Sequence, residues 1–187
     1  MTKASKRRPA GNRRAVSTSL PALLDRGSDG RFREVIQSIF GLAARMTALR
    51  ERIGEVAGLT GAQYSMLLSV GHLTRGGETV SVNTLAAHLH VSGTYVTAES
   101  KKLEKLGLLR RDPNPDDRRS VLLSLDEAGR ILLDDVLPFV RAINDVLFAD
   151  LTQASFTVLH SELPNLVETA DEALLIAEAE LRRRRRR

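Results

Sequence analysis

Between Ser92 and Lys105 the chain sets two hydroxyls, a methyl and two ammonium groups at spacings a helix would gather on one side: Thr94, Thr97, Ala98, Lys101 and Lys105. At about 100° per residue, Val96, Leu103 and Leu106 collect on the other side. One face packs and the other is free. Short hydroxyls and a methyl suit base edges and thymine methyl groups, and ammonium groups suit phosphates. Tyr95 stands in the first turn with them. Ser92 is placed to cap the helix, and the amides behind it make a seat for phosphate. The implied chemistry is recognition of a duplex, not covalent catalysis.

The neighbouring elements must hold that helix. Residues from Val82 to Leu89 predict a shorter supporting helix that packs through Leu85, Ala86 and Leu89. After Gly107, a natural helix stop, Leu108 to Asp112 and Ser120 to Leu125 read as two paired strands. Thr79, Val80 and Ser81 make a third short strand that can join them. Pro113, Asn114, Pro115 and Asp116 forbid regular pairing and project a tip bearing Arg118 and Arg119. Taken alone, either piece reads equally well as a solvated hairpin or an ordinary lysine-rich helix. Helix, tight connection, helix and basic hairpin in succession predict a winged helix-turn-helix, mainly α with a small β-wing.

The motifs LAAHLHVSGTYVT, KKLEKLGLL and DPNPDDRRSVLLSLDEAG resemble the DNA-binding half of the multiple antibiotic resistance regulator (MarR) family. The distinctive motifs lie within 60–129, and the helix order extends the resemblance over about 31–181. It implies a homodimer on an inverted-repeat operator in double-stranded DNA, with the helix from Ser92 in the major groove. It further implies that Arg119 enters the minor groove, steered by Asp117, while Arg118 lies along the backbone. The implied domains are a disordered basic arm (1–30), a dimerisation helix (31–57), a winged helix-turn-helix lobe (58–125), C-terminal dimerisation helices (126–181) and a poly-Arg tail (182–187). Relatives hold a small-molecule effector between the dimer lobe and the winged lobes, which changes the half-site spacing.

Three positions depart from the family pattern. His90 stands where the helix-turn-helix connection often has Gly, Asp126 follows Leu125 where Thr is usual, and Glu99 replaces a Leu on the recognition helix. Histidine tolerates the left-handed conformation at some cost, and Asp caps a helix as Thr does. Glu99 falls on the packed side, where a bare carboxylate is expensive. It either pairs with a cation such as an arginine, sits in a wet site, or couples effector to DNA.

Composition narrows the alternatives. A 42% hydrophobic content with 4% aromatics fits a helical protein packed by Leu, Ala, Val and Ile. There are no cysteines, which excludes thiolate metal sites and cysteine redox sensing. No glycine-rich phosphate loop, nucleophile elbow or HExxH motif is present, so no enzyme and no cofactor are expected. His88 and His90 form a weak metal pair without a third ligand, and no metal is expected there. No run has the length of a membrane span, and the cytoplasm is the default location. The formal charge of +5 divides unevenly: +7 on residues 1–33, −8 on 34–181 and +6 on the last six arginines. Seven of the 13 basic residues in 34–181 lie between Lys101 and Arg119 (Lys101, Lys102, Lys105, Arg110, Arg111, Arg118, Arg119), which gives an acidic body one basic face.

The remaining chain reads as amphipathic helices. Phe32 to Ala57 carries Val35, Ile36, Ile39, Phe40, Met46, Leu49 and Ile53 at helical spacing, ending near Gly58. Of the arginines on it, Arg45 and Arg50 are candidate ligands for an anionic effector, with Tyr64 from the next helix, where a core role competes. That next helix opens on a Thr60–Gln63 capping box. Asp126 caps a helix expected to bend at Pro138, and Thr152 starts a last helix expected to break at Pro164. Neither hides its apolar face within one chain, so a partner subunit is the natural cover. The basic first thirty residues either brush phosphates or solubilise the chain. The reading is a repressor released by an anionic aromatic compound or its coenzyme A thioester; the alternative is an architectural or partner-binding winged helix without effector.

Overall fold

Capping residues and glycines set the helix boundaries of the chain's first part. The computed structural model describes residues 15–74, 77–115, 117 and 120–186. It divides into one unit ending at Val136 and a second from Leu137 to Arg187, a division that falls inside a helix. Helix α1 (Gly30–Val56) stops where Gly58 takes φ +69°, and α2 (Gly61–Leu73) begins on a complete capping box between Thr60 and Gln63. Glu51 of α1 accepts from the Gly61 amide at 3.0 Å, closing the corner between them.

Helix α2 is the axis of the first unit because Met66, Leu67 and Val70 are fully buried on it. It packs against α1, α3 (Val82–Leu89), α4 (Gly93–Lys105) and the third strand. Leu85, Val96, Leu103 and Leu109 complete the core around it. Ser81 caps α3 through the Thr84 amide at 3.0 Å, and His90 ends it at φ 53° and ψ 43°, the left-handed turn that the sequence required of this residue.

The wing is a three-stranded antiparallel sheet in the order β1 (Val80–Ser81), β3 (Val121–Leu125), β2 (Leu109–Pro113). Leu123 lies opposite both Val80 and Arg111, so the short strand before α3 does join the hairpin. Pro113, expected to end pairing, lies inside β2 opposite Val121. An edge strand tolerates a residue without an N–H.

Helix α5 (Glu127–Leu147) starts at Asp126, whose carboxylate accepts from the Glu127 amide at 2.7 Å. A Cβ on Gly129 would lie 2.2 Å from the Leu108 carbonyl, which already accepts from the Asp126 amide at 3.1 Å. The backbone there cannot yield without losing that bond. Gly129→Ala should therefore destabilise the unit by about 1–3 kcal/mol, seen as a lowered denaturant midpoint; an unchanged midpoint would show that the contact relaxes.

In the second unit, α6 spans Gln153–Arg185 with Thr152 as its cap. The break expected at Pro164 is absent. Proline deletes one hydrogen bond of the ladder, but the residues around it are exposed, so water can satisfy the freed carbonyl, and long helical runs continue on both sides. Arg182 to Arg185 continue α6: Arg182 pairs with Glu178, and Arg183 and Arg184 with Glu180.

The expected basic arm (1–30) falls only partly within the described residues. Residues 1–14 lie outside the described residues, but from Ala15 the chain is placed, with a 3-10 turn at Pro21–Leu23. Ser17 donates to Asp29 through its amide (2.7 Å) and hydroxyl (2.6 Å), and Arg33 donates to the same oxygen at 2.9 Å. The Ser17 bonds first, then Arg33, hold the Asp29 carboxyl well below the usual carboxylate range. A carboxyl depressed in the folded state contributes above the ordinary carboxylate pKa and loses that contribution as pH falls through its folded value. Asp29→Ala at neutral pH should accordingly speed amide exchange of residues 15–29 and leave α2 protected. Equal protection in the variant would mean that the segment is held by other contacts.

Candidate nucleic-acid interface

Helix α4 owes its position to an apolar stripe and its presented chemistry to the opposite side. Ser92 accepts from the Tyr95 amide at 3.2 Å, fixing the first turn. Val96, Ser100 and Leu103 face inward, fully buried, while Thr94, Ala98, Lys101 and Lys105 are exposed and Thr97 is half-buried. Hydroxyls, a methyl and cations thus share one accessible side. Thr94 and Thr97 border an open hollow with Asn83 of α3 and Arg111, Asp117 and Ser120 of the wing. The Ser120 amide donates to the Asp117 carbonyl at 2.8 Å and the Asn114 amide to the Ser120 carbonyl at 3.1 Å, closing the hairpin. Arg118 and Arg119, the expected tip contacts, lie outside the described residues.

Several expectations need correction. Leu106 does not pack with Val96 and Leu103: it is the C-cap of α4 and 56% exposed. Gly107 at φ +72° turns the chain there, so that Leu109 enters the core in its stead. Tyr95 leaves the hydroxyl face and lines another hollow, with Thr47, Arg50 and Val91. Glu99, by contrast, meets the first of its expected alternatives: nearly buried, it pairs with a cation, Lys102 of its own helix, at 2.6 Å. Arg111 does not belong to the free basic face. Its side chain is 9% exposed, and its guanidinium donates to the Ser100 hydroxyl and lies 3.5 Å from the Glu104 carboxylate.

The candidate effector residues are not brought together. Tyr64 is buried in the core, and that burial pushes its hydroxyl pKa up. Arg45 turns back to donate to the Gly41 carbonyl at 2.9 Å, and Arg52 is engaged by Glu55. Arg50 alone lines a large hollow, about 890 Å³, whose other walls are His72, His88, Arg130 and Asp134 with Leu68, Leu125 and Leu133. His88 stacks on His72, with ring centroids 6.1 Å apart, instead of joining His90. No group of three or more metal-ligating side chains occurs among the described residues, and no helix among them is long and apolar enough to cross a membrane. Sequence reasoning missed Asn83, His72, Arg130 and Ser100. A hydroxyl at Ser100, four residues after Val96 on the packed stripe, was the one available signal.

Comparison with known proteins gives the same assignment. Residues 57–120, from the end of α1 to the wing, match the model of the MarR family. The uncharacterized HTH-type transcriptional regulator YdcH of Bacillus subtilis is 37% identical over 91 residues, which cover 49% of this chain and 62% of that protein. Less than two thirds of that relative is therefore spanned. The crystal structure of AbsC, a MarR family transcriptional regulator from Streptomyces coelicolor, superposes with a TM-score of 0.65 at 22% identity, covering 75% of this chain and 94% of AbsC. The transcriptional regulator MOSR of M. tuberculosis, solved in complex with DNA, gives 0.58 at 21% identity over 74% of this chain and 96% of that one. At these identities the two structures share the fold. With the match centred on α2, α3, α4 and the wing, this part of the chain is similar to the MarR family, and its fold is that of the winged helix-turn-helix structures it superposes on.

Proposed function

We propose that two copies of this chain bind an inverted-repeat operator in double-stranded DNA and act as a cytoplasmic repressor that a small molecule releases. The carrying observation is the division of α4: Val96, Ser100 and Leu103 are buried while Thr94, Ala98, Lys101 and Lys105 are exposed beside the wing. A helix held from behind in this way can enter a major groove without rearrangement, its hydroxyls toward base edges and its lysines toward phosphates. Arg118 and Arg119 would follow the backbone and the flanking minor groove, with Asp117 steering the latter. The effector reading moves from Arg45 and Tyr64 to the hollow around Arg50, where Arg130 and two imidazoles stand against leucine walls. Cations over an apolar floor suit a carboxylate on an aromatic body, or its thioester.

Selection of duplexes from random sequence, followed by mobility shift, tests the first half: one inverted repeat should be preferred by a large factor over unselected DNA. Uniform binding would favour an architectural winged helix. A thermal-shift screen of aromatic acids and their coenzyme A thioesters tests the second. A compound that raises Tm without weakening the shifted complex would contradict release.

A further inference from the structure

Among the described residues, the side chain of Arg111 joins the wing to the recognition helix through polar contacts. Arg111 is central in β2, on the same side as Leu109, and its side chain crosses to α4. There it donates from Nη1 to Oγ of Ser100, a residue with 0% exposure, while Nε faces Glu104 one turn further at 3.5 Å. Ser100 Oγ in turn donates to the Thr97 carbonyl at 3.3 Å, so the chain of contacts ends on the backbone behind one of the proposed base-reading residues. Lys101, Lys105 and Arg110 are exposed around it, whereas Arg111 is spent inside.

We propose that Arg111 is a positioning residue. It sets the separation and angle between α4 and the wing through Ser100 and Glu104, and so governs which sequences the two can read together. The proposal rests on the DNA-binding reading and adds to it a specificity device that is not itself a duplex contact. Its physical basis is the geometry of guanidinium, whose fixed fork serves two acceptors at once; a lysine ammonium carries the same charge but not that shape. A residue that only neutralised phosphate would weaken all duplexes alike, whereas one that aligns two readers affects the selected site more than random DNA.

The test uses the full chain, the inverted repeat that the wild type selects, and a random duplex of equal length. Arg111→Lys and Ser100→Ala should each weaken binding to the selected repeat about tenfold while changing random-duplex binding less than twofold. Glu104→Ala, which removes the second acceptor, should likewise weaken the selected repeat more than the random duplex. Circular dichroism and Tm of each variant separate misalignment from unfolding; if Ser100→Ala fails to fold, Arg111→Lys carries the comparison. Equal losses on both duplexes would make Arg111 a plain phosphate contact and overturn the proposal, as would wild-type affinity in Arg111→Lys. Should the wild type itself prefer no repeat, the DNA reading falls and the positioning role with it; that result is recognised before any variant is made.

Discussion

Raising monovalent salt from about 50 to about 200 mM should weaken binding to the selected repeat by roughly 10³-fold or more, measured by fluorescence anisotropy at constant pH. The magnitude follows from where charge lies. Residues 34–181 carry −8 overall, so the body of the protein repels a duplex at long range. In the proposed two-copy complex, affinity within this body comes from local replacement of counterions by Lys101, Lys105 and Arg110, all exposed, with Arg118 and Arg119 of the wing sequence, and any contact by the basic ends adds to it. Lys102 contributes less because Glu99 holds it at 2.6 Å. Lys101→Ala should make the salt slope shallower by about one unit per copy and weaken all sequences alike. Thr97→Ala should instead relax base preference with the slope unchanged. A response that is flat in salt would remove phosphate contact as the basis of binding, whatever the fold.

The elements were legible because each boundary had a chemical marker. Thr60 with Gln63, Ser92, Asp126 and Thr152 named helix starts, Gly58 and Gly107 named stops, and His90 was recognisable as the left-handed link. The exposed side of α4 followed from period alone. What period could not reveal was where side chains from other elements would end. Arg111 reads as one more cation in a basic run, and only the pairing of β2 with β3 fixes the side on which it lies. Leu106 reads as core until the helix stops one residue earlier. Pro164 reads as a break because the rule describes the cost of a lost hydrogen bond, not whether water can meet the carbonyl left behind. The hollow around Arg50 was out of reach for the same reason: His72, His88 and Arg130 come from three helices with nothing in their spacing to join them.

Leu163→Glu combined with Leu166→Glu should convert the proposed two-copy assembly to a monomer of 20.6 kDa by light scattering and lower affinity for the selected repeat by about 10²–10⁴-fold. Both leucines are exposed on α6, as are Phe156, Leu174, Leu175 and Ile176, and α6 has no buried residue in a single chain. A 33-residue helix with so many uncovered apolar side chains needs a cover, and α1 leaves Val35, Ile39 and Phe40 uncovered as well. Burying a leucine contributes about 1.5–3 kcal/mol, and placing a carboxylate there reverses the sign. Within one chain the exchange is nearly neutral, because Glu and Leu have similar helix propensity and neither position is packed, so helicity should be unchanged. The loss of affinity then reports only the loss of the second half-site, since a single recognition helix keeps its own contacts. A double variant that remains dimeric would move the interface off α6, and a monomer that still binds the whole repeat as tightly would end the two-copy model.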